Sequence, residues 1–197
     1  MISSRAEYLF YLEADRIALK LNRKRPRFFG DEIWKFQRLL RKLEYLTNCK
    51  KFVFYKFYRF CLYWYFQSVC IRLGFTIPLN VFGPGLNIAH RGTIVVNRLT
   101  KVGKNCRLHV CVSIGVMAGT EDKCPIIGDN VYIGPGVKIY GPIVIGDNIA
   151  IGANAVVNSS FIDGGVTIGG VPAKIISNKG SEGLLIKGAD LAVSRKK

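Results

Sequence analysis

Histidine is nearly absent from this sequence, with only His90 and His109. Acidic residues are also few, 13 against 29 lysines and arginines, which leaves a net charge of +16. Two histidines, with no carboxylate cluster to support them, argue against a three-histidine metal centre, and no bound metal is expected. The six cysteines, at 49, 61, 70, 106, 111 and 124, form neither a CxxC pair nor a zinc spacing. Free thiols in a reducing cytoplasm are therefore expected. Charges are spread so that no transmembrane helix is expected. Glu7, Glu13 and Asp15 stand where a secretory segment would be apolar. The basic excess is concentrated toward the front: residues 1–72 hold 16 Lys/Arg against 6 Asp/Glu. An anionic partner follows from that balance: a phosphate, an acidic sugar or a membrane face. Nucleic acid is set aside, because no recognisable binding module accompanies the charge.

What the chain has in plenty is a short repeat, from about Ile88 to Val171. Branched apolar residues recur every six positions at Ile127, Ile133, Ile139, Ile145, Ile151 and Val157. Val96, Val102, Leu108 and Ile114 hold the same register earlier in the chain. Glycine follows the apolar residue at 128, 134, 146 and 152, with Tyr140 and Asn158 as exceptions. A period of six fits neither an amphipathic helix nor a hairpin sheet. It is the signature of a parallel β-helix, in which each hexad is one flat side ending in a bend. The branched residue points inward and stacks coil on coil, because such side chains suit a pleated, half-buried surface. Asp-Asn pairs at 129–130 and 147–148 are expected to make turns by bonding their own backbone.

The remainder of the chain falls on either side of these repeats. Residues 1–73 read as an α-helical region, 74–177 as the repeat domain and 178–197 as a C-terminal tail. The tail is polar and is expected to be poorly ordered. Ser4-x-x-Glu7 is a capping box that opens a first helix, with Phe10, Ala14, Ile17 and Leu21 at helical spacing. A second helix is expected near Asp31, with Ile33, Phe36, Leu40 and Leu43 on one face. A third is expected from about Cys49 to Leu73. It carries one stripe of Phe54, Tyr58, Cys61, Tyr65 and Val69, and another of Val53, Phe57, Phe60 and Trp64. Lysines and arginines are interleaved with these aromatics. The third helix either packs on the repeat domain or a neighbouring subunit, or lies through residues 49–73 on an anionic membrane. In the repeats, two extra residues are expected between Ile94 and Val96. The loop 115–125, GVMAGTEDKCP, interrupts the column and is where function tends to sit.

The stretch from Asn87 to Val96 (NIAHRGTIVV), the loop, the run IGDNVYIGPGVKI and finally GVPAKII resemble the serine O-acetyltransferase group of hexapeptide acyltransferases. The resemblance covers about residues 74–177. The first 73 residues resemble the helical leader of capsule-cluster homologues of that group. The resemblance implies a mainly β fold, a left-handed parallel β-helix preceded by helices. It implies a cytoplasmic homotrimer with active sites between subunits and acetyl-CoA as co-substrate. It also implies direct acetyl transfer to a hydroxyl in a ternary complex. His90 matches the family's general base, and an imidazole suits proton transfer near neutral pH. Backbone N–H groups near the loop are expected to stabilise the oxyanion. The positions matching the CoA groove are Gly115, Val116, Met117, Gly134, Pro135 and Ala153, with Lys174 toward a CoA phosphate.

The departures from the family pattern bear on the acceptor. The Asp that orients the base aligns with Phe75. The Asp that grips serine is Ala89, and the loop's Arg-His pair is Lys123 and Cys124. A pocket with no carboxylate for an ammonium group should hold serine poorly, so a carbohydrate hydroxyl in surface-polysaccharide assembly is expected. Serine O-acetyltransferase of cysteine biosynthesis is the alternative enzyme. A non-catalytic scaffold binding membrane or polymer is the alternative of another class. Asn80, Glu121 and Asp122 are candidates by location to orient His90. With a coil of about 18 residues, the insertion places His109 one coil above Ala89. There it is expected to hold an acceptor hydroxyl or the thioester carbonyl. Cys124 has no base beside it and is not expected to act covalently.

Overall fold

The computed structural model describes residues 1–120 and 122–195. Three helices come first: α1 (Arg5–Ala18), α2 (Glu32–Cys49) and α3 (Val53–Leu73). Short strands follow, and a last helix, α4 (Gly188–Ser194), closes the described chain. The strands assemble into three sheets. In the first, Phe75 pairs with Ile94, Ile94 with Val112, Ile114 with Ile139 and Ile139 with Val157, all in parallel. In the second, Val102, Ile127 and Ile145 line up. In the third, Ile88, Leu108, Ile133, Ile151 and Ile168 form one column. Successive hexads therefore visit third, first and second sheet in turn, which makes each coil triangular. All ten of the six-residue-spaced apolar side chains named above are buried. Each contributes about 1.5–3 kcal/mol relative to exposure.

The corners show why asparagine and aspartate are there. Asn105, Asn130 and Asn148 all take left-handed backbone angles, with φ of 58°, 56° and 57°. Asparagine tolerates that region better than branched residues. Their amides form a ladder, Asn105 Nδ2 to Asn130 Oδ1 at 2.8 Å and Asn130 Nδ2 to Asn148 Oδ1 at 3.0 Å. The aspartates do not bond their own turns, as the sequence led us to expect. Asp129 accepts from the Lys104 N–H at 2.9 Å, and Asp147 from the Asp129 N–H at 2.7 Å. Each carboxylate thus ties its coil to the preceding one, which is what stacked repeats require of their corners.

The two extra residues lie elsewhere than expected. Ile88 and Leu108 are partners, and so are Ile94 and Val112. The insertion therefore falls between Ile88 and Ile94, on the corner that carries His90. That corner is pinned by the end of α3. Gly92 N donates to Leu73 O and Ile94 N to Gly74 O, each at 3.0 Å. Gly92 has a φ of 137°, a backbone conformation that favours glycine.

The helical region shares one core with the coils: Phe36, Leu40 and Leu43 of α2 and Phe66, Cys70 and Leu73 of α3 pack with the sheet residues. In α1 the Glu7 N–H donates to Ser4 Oγ at 3.1 Å, while the Glu7 carboxylate accepts from Ser3 instead of Ser4. The helix ends at Ala18, so Leu21 lies beyond it. The buried stripe of α3 is neither of the two expected. Phe66, Cys70 and Leu73 are buried, whereas Phe54, Phe57, Phe60 and Trp64 stand exposed. The cause is that α3 meets the repeats only through its C-terminal half, where Phe66 stacks on Phe36 with ring centroids 5.4 Å apart.

The tail is ordered, contrary to expectation, across its described residues 178–195. Lys174–Ser177 pairs antiparallel with Thr167–Gly169. Beyond it, α4 packs on α1 through Ala189, Ala192, Ala14 and Ile17. A Cβ on Gly188 would run into the Ala14 carbonyl, so the close approach requires glycine. Asn105 accepts from the Ala189 N–H at 2.8 Å and Lys104 pairs with Asp190 at 2.7 Å, which ends the asparagine ladder on α4. Polar composition concealed this docking because small alanines and backbone groups carry it.

A buried ionic cluster joins helices to coils. Arg41 of α2 is fully buried. It donates to Asp15 at 2.8 Å, to Glu44 at 3.0 Å and to the carbonyls of Phe82 at 2.8 Å and Gly83 at 2.7 Å. Asp15 in turn accepts the N–H groups of Gly85 and Leu86, both at 2.9 Å. Burial opposes the charge on Arg41, but the Asp15 and Glu44 carboxylates outweigh it and hold the guanidinium above its ordinary range.

Candidate active site

His90 projects exposed from the corner between the third and first sheets, so it is not packed inside the coil. The register Ile88 to Leu108 carries on through the backbone bond from Ala89 N to Leu108 O, which sets His109 over Ala89. The two imidazoles lie side by side, with ring centroids 6.0 Å apart. His109 is half-buried and also meets the Tyr132 ring at 5.2 Å. Its Nε2 is enclosed and makes no hydrogen bond. Burial first, and then the charges of Arg107 and His90, push the His109 pKa below the ordinary imidazole range. His109 is therefore neutral at neutral pH, and its enclosed Nε2 meets a ligand only if the ring turns. Among the described residues the His90 side chain makes no hydrogen bond, and its neighbour is His109.

The lowered pKa of His109 has a measurable sign. Between its folded value and about 6.5, the unfolded chain binds a proton that the folded chain does not. Stability from this group is complete above about pH 6.5 and declines as pH falls through that window. Thermal melts at descending pH should show this decline, and His109→Gln should flatten it.

Above the histidines the same corner is built of small residues. The column runs Ala89, His109, Gly134, Gly152 and Gly169 by register. With strands about 4.8 Å apart, the part above His109 is a strip about 10 Å tall, with Gly134 and Gly169 buried and Gly152 half-buried. A Cβ on Gly134 would sit 2.8 Å from the Ile151 carbonyl, so the strip cannot carry side chains there without shifting. Pro135 and Ala153 flank it and are exposed. Lys174, exposed and paired with Gly169, stands at its top. Gly134, Pro135, Ala153 and Lys174 thus share the edge that holds His90.

The other expected residues lie apart. Gly115 ends the strand Val112–Gly115, and Val116 and Met117 follow it, at the opposite edge of the first sheet. Lys123 and Cys124 belong to the loop that leaves from that same edge. The strand separates the two sets by about 15 Å, so one chain does not bring them together. Asn80 is removed as a partner for His90 or for substrate: its amide is engaged with Asn48 at 2.9 Å, and its N–H with Glu44 at 2.8 Å. Glu121 lies outside the described residues. Asp122 is exposed on the loop at the far edge. Phe75, where an orienting carboxylate was sought, is buried edge-on against Phe36 at 5.0 Å. Tyr132 and Arg107 were missed, although both precede inward residues by one and so must face out. Among the described residues no group of three His, Cys, Asp or Glu could hold a metal. A cavity of about 540 Å³ lies under the C-terminal arm by Asn148 and Lys187 and is lined by neither histidine.

Triangular coils of hexads with a histidine-bearing corner are similar to those of the bacterial transferase hexapeptide family. Residues 124–159 match that family's model of six repeats. The chain is also similar to serine acetyltransferases. It is 37% identical over 101 residues to a serine acetyltransferase of Mycobacterium tuberculosis, a match that takes in 50% of this chain and 43% of that protein. Among solved structures, the serine acetyltransferase of Brucella abortus superposes with a TM-score of 0.70 at 28% identity, covering 90% of this chain and 72% of that one. The same enzyme in complex with coenzyme A gives 0.69 at 28%, covering 89% and 70%. The Neisseria gonorrhoeae serine acetyltransferase gives 0.68 at 25%, covering 95% and 72%.

Proposed function

We propose that this protein is an acetyl-CoA-dependent O-acetyltransferase that works as a trimer of left-handed β-helices. The observation that carries the reading is the exposed His90 at the foot of a strip of glycines. Exposed Pro135 and Ala153, beside half-buried Gly152, offer a flat surface to the pantetheine arm, and Lys174 offers charge to a CoA phosphate. His90 takes the proton from an acceptor hydroxyl as its oxygen attacks the thioester carbonyl carbon. The carbon–sulfur bond breaks, and His90 returns the proton to the departing thiolate. Neutral His109, its ring centroid 6.0 Å from that of His90, is the residue we assign to orienting the hydroxyl. A neighbouring subunit brings Gly115 to Met117 and the loop's Lys123 and Cys124 to the His90 edge, since a single chain holds them apart.

The acceptor we favour is a carbohydrate hydroxyl, because Ala89 leaves no carboxylate for an amino acid's ammonium. Serine is the second reading, favoured by the names of the relatives and structural neighbours. Acetyl-CoA turnover against serine, neutral sugars and polysaccharide fragments decides between them. Rapid turnover of serine alone overturns the carbohydrate reading, and turnover of no hydroxyl overturns both.

We also place the protein at an anionic membrane face through α3. Phe52, Phe54, Phe57, Phe60 and Trp64 are all exposed. Lys50, Lys51, Lys56 and Arg59 border them, and residues 45–120 contain no acid at all. A second copy of this face would bring cations against cations; acidic headgroups complement it. Among the described residues no helix is long and apolar enough to cross a membrane. The protein should sediment with phosphatidylserine vesicles at low salt and be released by high salt. Trp64→Glu should abolish the binding. Wild-type protein left in the supernatant at low salt, or self-association removed by Trp64→Glu with no vesicle binding, overturns the placement.

A further inference from the structure

The enzyme reading leaves one cavity beside His90 unused. It measures about 360 Å³ and lies between the start of α2, the last turns of α3 and the His90 corner. That volume is within the range of small-molecule pockets. Lys35, Arg72 and Arg91 line it, with Tyr65 and Val69, against a single acid, Glu32. Arg91 follows the proposed base directly in sequence. The Gly92 N–H to Leu73 carbonyl bond, at 3.0 Å, fixes the α3 end against that same corner. The cavity therefore opens within one residue of the reacting centre.

Its charge is not spent inside the protein. Among the described residues, neither Arg72 nor Arg91 forms an ion pair, and Lys35 donates to the Phe28 carbonyl at 2.6 Å. Three cations against one acid leave the concavity net positive, which favours an anion between them. Arginine forks match planar carboxylate or tetrahedral phosphate oxygens in two-point contact. The Tyr65 ring beside them offers a face or hydroxyl to the rest of a ligand.

We propose that this cavity binds an anionic group, phosphate or carboxylate, carried by the acceptor itself, so that the acceptor is an acidic molecule. The proposal rests on the O-acetyltransferase reading and narrows it. It assigns Lys35, Arg72 and Arg91 to acceptor binding, away from the strip that ends at Lys174.

The test is calorimetric titration of the full chain with pyrophosphate, with glucuronate and with glucose. Saturating CoA is present throughout so that its strip is filled. One of the two anions should bind and glucose should not, and whichever anion binds identifies phosphate or carboxylate as the source. Arg72→Gln and Arg91→Gln should each weaken that binding roughly tenfold or more, and salt should weaken it in wild type. Circular dichroism of each variant confirms that it is folded. His90→Ala should still bind the anion. Failure of both anions to bind at millimolar concentration, or equal binding by the folded Arg72→Gln and Arg91→Gln variants, overturns the pocket. Failure of CoA to bind, or of any hydroxyl to be acetylated while the anion binds, overturns the enzyme reading and leaves the pocket standing.

Discussion

His90→Ala is expected to lower kcat for acetyl transfer by about 10²–10⁴-fold, the usual contribution of a positioned general base. The imidazole stands exposed at its corner and meets no carboxylate among the described residues, so nothing nearby replaces it. CoA affinity should change little, because the surface assigned to CoA is that of Pro135, Ala153 and Lys174. Steady-state kinetics of the variant beside CoA titration separate the two effects. If His90→Ala turns over acceptor at the wild-type rate, the enzyme assignment fails and a binding scaffold takes its place. His109→Gln should raise KM for the acceptor more than it lowers kcat, as fits a group that orients the hydroxyl and takes no proton.

Arg41→Ala is expected to cost about 3–5 kcal/mol of stability, because it strands two buried carboxylates. Asp15 and Glu44 would lose their counter-charge, and the carbonyls of Phe82 and Gly83 their donor. For a chain of this size the melting temperature should fall by roughly 6–20 °C. Replacing Asp15, Arg41 and Glu44 together by apolar residues of similar volume should cost far less, since no charge is then left uncompensated. Denaturant melts of the single and triple variants make the comparison. A single variant within 1 kcal/mol of wild type would mean that water reaches the cluster and that it does not fasten the helices to the coils.

Much of the coil was legible in the chain because its rule is local. An apolar side chain every six residues must face one side of a strand that bends every six residues, so Ile127 to Val157 announced their own burial. The site was legible in part for the same reason. His90 and His109 could be set on adjacent coils by counting, and the outward positions of Arg107 and Tyr132 could have been counted too. The Asp-Asn corners were misread because a carboxylate's choice between its own turn and the coil below is made by stacking. Asn80 failed as a partner of His90 because its amide was already held by Asn48, a residue 32 positions earlier that no spacing rule connects to it.

The helices mark where counting stops. Their periodicity named apolar faces for α3, yet which face is covered depends on where the helix lands, and only its last turns land on the coils. The Arg41 cluster and the tie of α4 to the asparagine corner join residues 26 to 86 positions apart, through hydrogen bonds that have no sequence period. By itself the sequence determined the repeat, its register and the histidine corner, because short-range patterning dictates which side chains point inward. Tertiary structure alone decided what surrounds that corner: a basic cavity on one side, a column of glycines above and the loop residues held at the opposite edge. Contacts between distant segments are set by packing and by the pairing of buried charge, and those are properties of the assembled chain.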